Sequence, residues 1–257
     1  MNKFGGFLIC SDIDGTFRCG GDTEKINSEA VKYFTENGGR FTFATGRMFG
    51  NLQETQISEV ANAPVCLCNG GIIFDHIANR IIYECHTDFT IHEFYNEIKT
   101  FDDIKVYIYS NNDVSYTVNL QDIPSLGDEI LNSKPLKTVC VFKTPEEADK
   151  FKNTVLSLPF FKNTYITKSW PVGVEFNSIN ATKGTAITKI KNLLGDIHTS
   201  IGVGDYENDL SLIRDADIGV AVGNAIECVK NEADIIIKPA SEYAIADLIN
   251  YIETKLL

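Results

Sequence analysis

Phe7-Leu8-Ile9-Cys10-Ser11-Asp12-Ile13-Asp14-Gly15-Thr16 opens on a continuous apolar run and breaks abruptly into two carboxylates and a glycine. A run that is apolar at successive positions, not at alternate ones, reads as a strand covered on both faces, the condition of a parallel sheet sheltered by helices. The carboxylates then stand at the carboxyl end of that strand, the edge at which open α/β sheets bind their ligands.

Working outward, strand-like and helix-like segments alternate through the first 75 or so residues, as in parallel βαβ units. A helix is expected to start near Asn27 or Ser28 and to stop at Gly38-Gly39. Strands are expected over 40–44 and 65–68. From about residue 82 to 178 the pattern changes. Helices are expected over 91–101, 123–132 and 145–158, and strands over 105–109, 114–119, 138–142, 164–167 and 172–176. Short links between neighbouring strands imply antiparallel pairing, so this stretch reads as an α+β unit inserted through hinges near Tyr83 and Ser178. The alternation then resumes, with helices over 182–194, after Tyr206 and from Ser241, and strands over 199–203, 218–222 and 234–237.

The 257 residues, 44% apolar and 23% charged, suit a folded protein with a sizeable core. A net charge of -12 repels polyanions, which argues against nucleic acid and acidic membranes as partners and leaves a small phosphorylated molecule compatible. No apolar run approaches the roughly 18 residues of a membrane helix, and the opening residues lack the pattern of a secretory leader, so a cytoplasmic location is expected. Seven scattered cysteines suit reduced thiols, and Cys66-Leu67-Cys68, with no second Cys or His pair nearby, reads as part of the core.

Four segments at strand ends carry chemistry. Asp12 and Asp14 are able to serve one centre in two roles, one attacking phosphorus and the other handling the proton of the leaving oxygen; the alternative is a solvated turn or a fragment of a calcium loop, whose remaining ligands are missing after Gly15. Thr45-Gly46-Arg47 offers a hydroxyl, a flexible backbone and a cation to an anion, or is a helix cap beside a surface arginine. Lys183, on the first turn of its helix, opposes the helix dipole unless an anion balances it. Asp205 and Asp209 lie a helical turn apart, with Asn208 beside them, and offer the hard oxygens that Mg²⁺ takes, or form a Gly-Asp turn and cap. All four converge on one edge of one sheet.

In these segments the chain resembles the haloacid dehalogenase-like hydrolase superfamily, and within it the Cof-type phosphatases with a large α+β (C2B-type) cap. Asp12-Ile13-Asp14-Gly15-Thr16 resembles the first motif, Thr45 the second, Lys183 the third, and Gly204-Asp205 with Asn208-Asp209 the fourth; Asn69-Gly70-Gly71 and the segment 219–225 also resemble this subgroup. The resemblance implies a Rossmann-like three-layer α/β core with a mostly parallel sheet, formed by 1–82 and 179–257, and an α+β cap over 83–178 that sets specificity. It further implies Asp12 as nucleophile and Asp14 as general acid and base. Mg²⁺ would be held by Asp12, the Asp14 main-chain carbonyl and Asp205, and phosphoryl oxygens by Ile13, Thr45, Gly46, Lys183 and Asn208. Asp209 would support Lys183 or the metal's waters, and Arg47 would touch substrate or pair with a core carboxylate.

The implied activity is Mg²⁺-dependent hydrolysis of a small phosphorylated metabolite such as a sugar phosphate. A phosphotransferase or mutase using the same intermediate, and a non-catalytic sensor of a phosphorylated ligand, are the alternatives. Phe17-Arg18-Cys19 departs from the leucine pair common after the first motif, and Val222 replaces a usual methionine. Trp170, Glu175, Tyr109 and Tyr116 are candidates for substrate contact, although such strand positions more often serve packing.

Overall fold

The computed structural model describes residues 2–48, 60–110 and 115–257. In chain order, β1 (Phe7–Ser11), α1 (Thr23–Glu36) and β2 (Arg40–Phe43) form a parallel unit in which Leu8 faces Arg40. There follow β3 (Val65–Leu67), β4 (Ile72–Asp75) and β5 (Arg80–Glu84), a small antiparallel sheet. The inserted unit comprises α2 (Ile91–Ile98), β6 (Lys105–Tyr109), β7 (Ser115–Asn119), α3 (Asp128–Leu131), β8 (Lys137–Val141), α4 (Pro145–Leu156), β9 (Thr164–Trp170) and β10 (Gly173–Ser178). The chain then returns through α5 (Lys183–Leu194), β11 (Thr199–Gly204), α6 (Leu210–Asp215), β12 (Ile218–Ala221), α7 (Glu227–Glu232), β13 (Ile235–Ile236) and α8 (Ala244–Tyr251).

The main sheet has the order β13-β12-β11-β1-β2 with every pair parallel, and β1, its fourth strand, lies beside β11 with Phe7 opposite Thr199. Alternate side chains of β1 divide between two apolar clusters. Phe7 and Ile9 join Phe34, Phe41, Ile201 and Leu248, while Leu8 and Cys10 join Ile187, Ile190 and Leu212. Helices α1 and α8 cover the first face and α5 and α6 the second, which makes three layers and explains why β1 is apolar throughout. The inserted unit folds around its own antiparallel sheet, β7-β6-β8-β10-β9, and its own cluster of Phe94, Phe151, Phe161 and Phe176 among others.

Several boundaries depart from the sequence expectation. α1 begins at Thr23, because Thr23 Oγ1 closes the preceding turn on Gly20, while Asn27 is buried inside the helix and its amide donates to the Phe17 carbonyl. In place of a helix over 123–132 there is a 3₁₀ segment, Leu120–Ser125, followed by the four-residue α3. Pro124 lacks an N–H and disfavours the helical conformation of the residue before it, which limits what can form there. Hairpin β4–β5 lies outside the sequence expectation, and it draws β3 into an antiparallel sheet that joins the end of β2 through a parallel bridge between Ala44 and Cys66. Val114, where a strand is expected to begin, lies outside the described residues. In the segment that departs from the usual leucine pair, Phe17 is buried against Phe41 and Phe43, and Arg18 pairs with Glu24.

Candidate active site

Where β1 ends, Asp12 still extends the ladder, its N–H donating to the Val203 carbonyl at 2.9 Å. The chain then turns at Gly15, whose φ is +85°, a left-handed value that glycine adopts without penalty. A Cβ there would meet Asp205 Oδ2 at 2.5 Å, so glycine also admits the carboxylate from β11. Thr16 Oγ1 donates to Asp205 Oδ1 at 2.9 Å. Ile13 points its side chain into the apolar core, which leaves only its backbone to meet a ligand.

Lys183 enters from the first turn of α5, where Thr182 caps the helix, and its Nζ lies 2.6 Å from both Asp12 Oδ1 and Asp209 Oδ1. Burial alone would discharge this ammonium, but the two carboxylates outweigh it and hold its pKa well above the ordinary value. Asp209 Oδ2 accepts the N–H groups of Asp205 and Tyr206, so both oxygens of Asp209 are engaged. Gly70, at φ +108°, packs so closely under the turn before α5 that a Cβ would meet the Thr182 carbonyl oxygen at 2.2 Å.

Thr45 is buried, its N–H donating to the Cys66 carbonyl at 2.9 Å and its hydroxyl oxygen accepting from the Arg47 N–H at 3.1 Å. Arg47 grips Asp14 in a fork, with Nε 2.8 Å from Oδ2 and Nη2 2.7 Å from Oδ1. Cys66 and Cys68 lie behind this loop, and burial pushes their thiols up to about 12 and about 11, so neither is a thiolate suited to a metal.

A cavity of about 320 Å³ lies between the two units, with Lys183 and Asp209 fully buried behind its lining. Asp12, Asp14, Thr45, Gly46, Arg47, Asp205, Tyr206 and Asn208 form its floor, while Tyr109, Lys137, Ser169, Trp170 and Glu175 of the inserted unit form its roof. Tyr116, also a candidate, packs instead against the apolar cluster of the inserted unit. Lys137, Ser169 and Tyr206 were not singled out from the sequence. A buried lysine and glutamate on neighbouring strands, each opposite a partner that only the fold supplies, leave no local pattern.

Asp12, Asp205 and Asp209 bring carboxylate oxygens within 4.8 Å of one another. Three carboxylates face one ammonium, and the imbalance shows in Asp205, whose pKa burial and then Asp209 push up to about 6, and in Asp12, which burial and its acidic neighbours also raise. Among the described residues, Asp12 Oδ2 and Asp205 Oδ2 carry no hydrogen bond, so a hard divalent cation would find oxygen donors and a charge deficit that it could correct.

The family model for haloacid dehalogenase-like hydrolases matches residues 9–249, nearly the whole chain. The chain belongs to this family. The 5-amino-6-(5-phospho-D-ribitylamino)uracil phosphatase YcsE of Bacillus subtilis is 29% identical over 250 residues, covering 95% of this chain and 94% of the relative. The pyridoxal phosphate phosphatase YbhA of Escherichia coli is 26% identical, covering 94% of this chain and 97% of the relative. Among solved structures, the HAD subclass IIB sugar phosphatase BT4131 superposes with a TM-score of 0.75 at 22% identity, covering 95% of this chain and 98% of the other. SMU.1108c of Streptococcus mutans does so with 0.78 at 18%, covering 96% and 99%. Identities this low establish a shared fold. The family assignment rests on the match along the chain, and no helix among the described residues is long and apolar enough to cross a membrane.

Proposed function

We propose that this haloacid dehalogenase-like hydrolase is a Mg²⁺-dependent phosphatase that hydrolyses a small phosphorylated metabolite through an aspartyl-phosphate on Asp12. The observation that carries the reading is Asp12, at the end of β1 and on the floor of a cavity sized for a small ligand, with its carboxylate held from behind by fully buried Lys183.

In this reading an Asp12 carboxylate oxygen attacks phosphorus and the ester oxygen departs with a proton from Asp14. Water then attacks the phosphorus of the aspartyl ester, Asp14 recovers a proton, and phosphate leaves with the Asp12 carboxylate restored. Lys183 holds Asp12 in place and faces the charge of the equatorial oxygens, which Thr45, the Ile13 and Gly46 N–H groups and Asn208 are set to receive. Asp14 is half exposed at the cavity and clasped by Arg47, and in this reading it serves the leaving oxygen. Asp12, Asp205 and the Asp14 main-chain carbonyl would hold Mg²⁺, which supplies positive charge against the phosphate.

The roof belongs to a cap spanning roughly 83–178 that sets specificity. Its mixture of Tyr109, Trp170, Ser169 and a buried ion pair suits a leaving group with hydroxyls and a flat or apolar side, such as a sugar or a phosphorylated polyol on a ring. YcsE and YbhA are named for ring-bearing phosphates, which agrees with this class. The seven cysteines, none bridged, suit a reducing compartment, and the cytoplasm is our assignment.

The test is phosphate release from a panel of phosphorylated sugars, polyols and cofactors, with and without Mg²⁺, in wild type and Asp12→Asn. Mg²⁺-dependent release that vanishes in the variant is expected. Release without metal, or an active variant, would overturn the mechanism, and an isomeric phosphate in place of free phosphate would make the protein a mutase.

A further inference from the structure

The roof of the cavity holds an ion pair with almost no exposure, Lys137 at 3% and Glu175 at 1% of their side-chain surface, Nζ to Oε1 3.1 Å. Buried pairs stabilise little compared with apolar packing of the same volume, so stability alone accounts poorly for this one. Both members reach down into the floor. Lys137 Nζ donates to the Gly46 carbonyl at 2.7 Å, and Glu175 Oε2 accepts from Asn69 Nδ2 and, at 2.8 Å, from Ser169 Oγ. Around Gly46 the packing is tight, for a Cβ there would meet Asn69 Oδ1 at 3.1 Å and Lys137 Nζ and Ser169 Oγ at 3.5 Å.

Each contact continues into a chain of fixed polarity. Lys137 polarises the Gly46–Arg47 peptide, whose N–H donates to Thr45 Oγ1 at 3.1 Å, and an oxygen that accepts in this way keeps its own proton to give. Glu175, as a carboxylate, only accepts. Asn69 must therefore turn its NH₂ toward Glu175 and its carbonyl oxygen toward Asn208, which then donates with Nδ2 at 3.1 Å and has a second N–H to offer. Asn69 itself is fully buried, with its N–H on the Thr45 carbonyl at 2.9 Å.

We propose that Lys137 and Glu175 are positioning residues that set the hydrogen-bond direction of Thr45 and Asn208, so that the phosphate cradle on the floor is complete only when the inserted unit is seated on it. The proposal rests on the function given above. It assigns the pair a part in every turnover, whatever the leaving group, and separates it from Trp170 and Tyr109, which line the cavity with no hydrogen bond to the floor among the described residues.

The experiment compares wild type with Glu175→Gln, Lys137→Met and the double variant, using p-nitrophenyl phosphate, the best metabolite from the panel, and binding of inorganic phosphate in Mg²⁺ buffer. A single change strands a buried charge and risks the fold; the double variant removes both charges and keeps the comparison open, with thermal unfolding as the check. Expected is a fall in kcat on the order of 100-fold for both esters, weaker phosphate binding, and an unchanged ratio of kcat/KM between them. Wild-type kcat on the aryl phosphate and unaltered phosphate binding, with only the metabolite's KM raised, would overturn the proposal and make the pair a reader of the leaving group. Should wild type hydrolyse neither ester, the phosphatase reading fails on its own, and phosphate binding in the variants still decides: unchanged affinity overturns the positioning role, and lost affinity supports it.

Discussion

Lys183 Nζ is shared equally between Asp12 Oδ1 and Asp209 Oδ1, 2.6 Å from each, with no solvent at its side chain. One cation thus holds the proposed attacking group and the carboxylate that organises the Asp205 turn. Lys183→Met leaves both carboxylates buried without their partner, and removing one side of such a pair costs about 3–5 kcal/mol. Urea unfolding in metal-free buffer should show a loss of this size together with the loss of turnover, and a variant as stable as wild type would sink the account.

Excess negative charge on the floor should make a divalent cation a stabiliser. Mg²⁺ at about a hundredfold its dissociation constant is expected to add roughly 2.7 kcal/mol to the folded state. Thermal unfolding with and without Mg²⁺ measures it, and Asp205→Asn should abolish most of the shift. A wild-type melting temperature indifferent to Mg²⁺ would argue against the oxygen donors assigned here.

In the proposed mechanism Asp14 has two proton tasks, and a good leaving group needs only the second. In Asp14→Asn, p-nitrophenyl phosphate should give a burst of nitrophenol followed by slow turnover as phosphorylated Asp12 accumulates, while an alkyl phosphate stalls at the first step. Rapid-quench kinetics distinguishes them. Equal slowing of both esters without a burst would refute the division of labour.

Away from the site, Asp217 accepts from Lys191 Nζ at 2.5 Å, from the Ser200 hydroxyl at 2.6 Å and from the Ser200 N–H at 2.7 Å. Partial burial pushes its pKa up, but these donors win and bring it down from 3.8 to about 2. A depressed carboxylate contributes stability above its unfolded pKa and loses it as pH falls through the folded one. Because the side chain is 44% exposed, solvent screening reduces the contribution to about 1 kcal/mol. Asp217→Asn should therefore be less stable at neutral pH, with the gap to wild type closing between about pH 4 and pH 2. A gap that stays constant in acid would contradict this.

The floor of the site was legible in the sequence because its residues follow buried strands. Phe7 to Ser11 declares β1, and Asp12 is then placed by chain geometry alone. The roof was not. Asn69 and Glu175 are 106 residues apart, and Lys137 is 91 residues from Gly46, so their meeting depends on how two separately folded sheets face each other. Glu175, Trp170 and Tyr109 stand on strands, where such residues look the same in sequence whether they pack, face solvent or face a cavity. Hairpin β4–β5 escaped because Ile72 to Phe74 is a short apolar run with no alternation to mark it, and its turn at Asn79, at φ +49°, carries neither glycine nor proline.

The pairing of β1 with β11 also orders events during synthesis. When Asp12 has left the ribosome, the strand that completes its side of the sheet has not yet been translated, while every strand of the inserted sheet emerges before β11 does. Domains generally fold as units as the chain emerges, and pairings between distant segments form slowly. The inserted unit is thus free to mature first. The edge of the sheet that bears Asp12 closes only after Thr199 to Gly204 arrives, so the nascent chain holds Asp12 apart from Asp205 and Asp209 until translation is nearly finished.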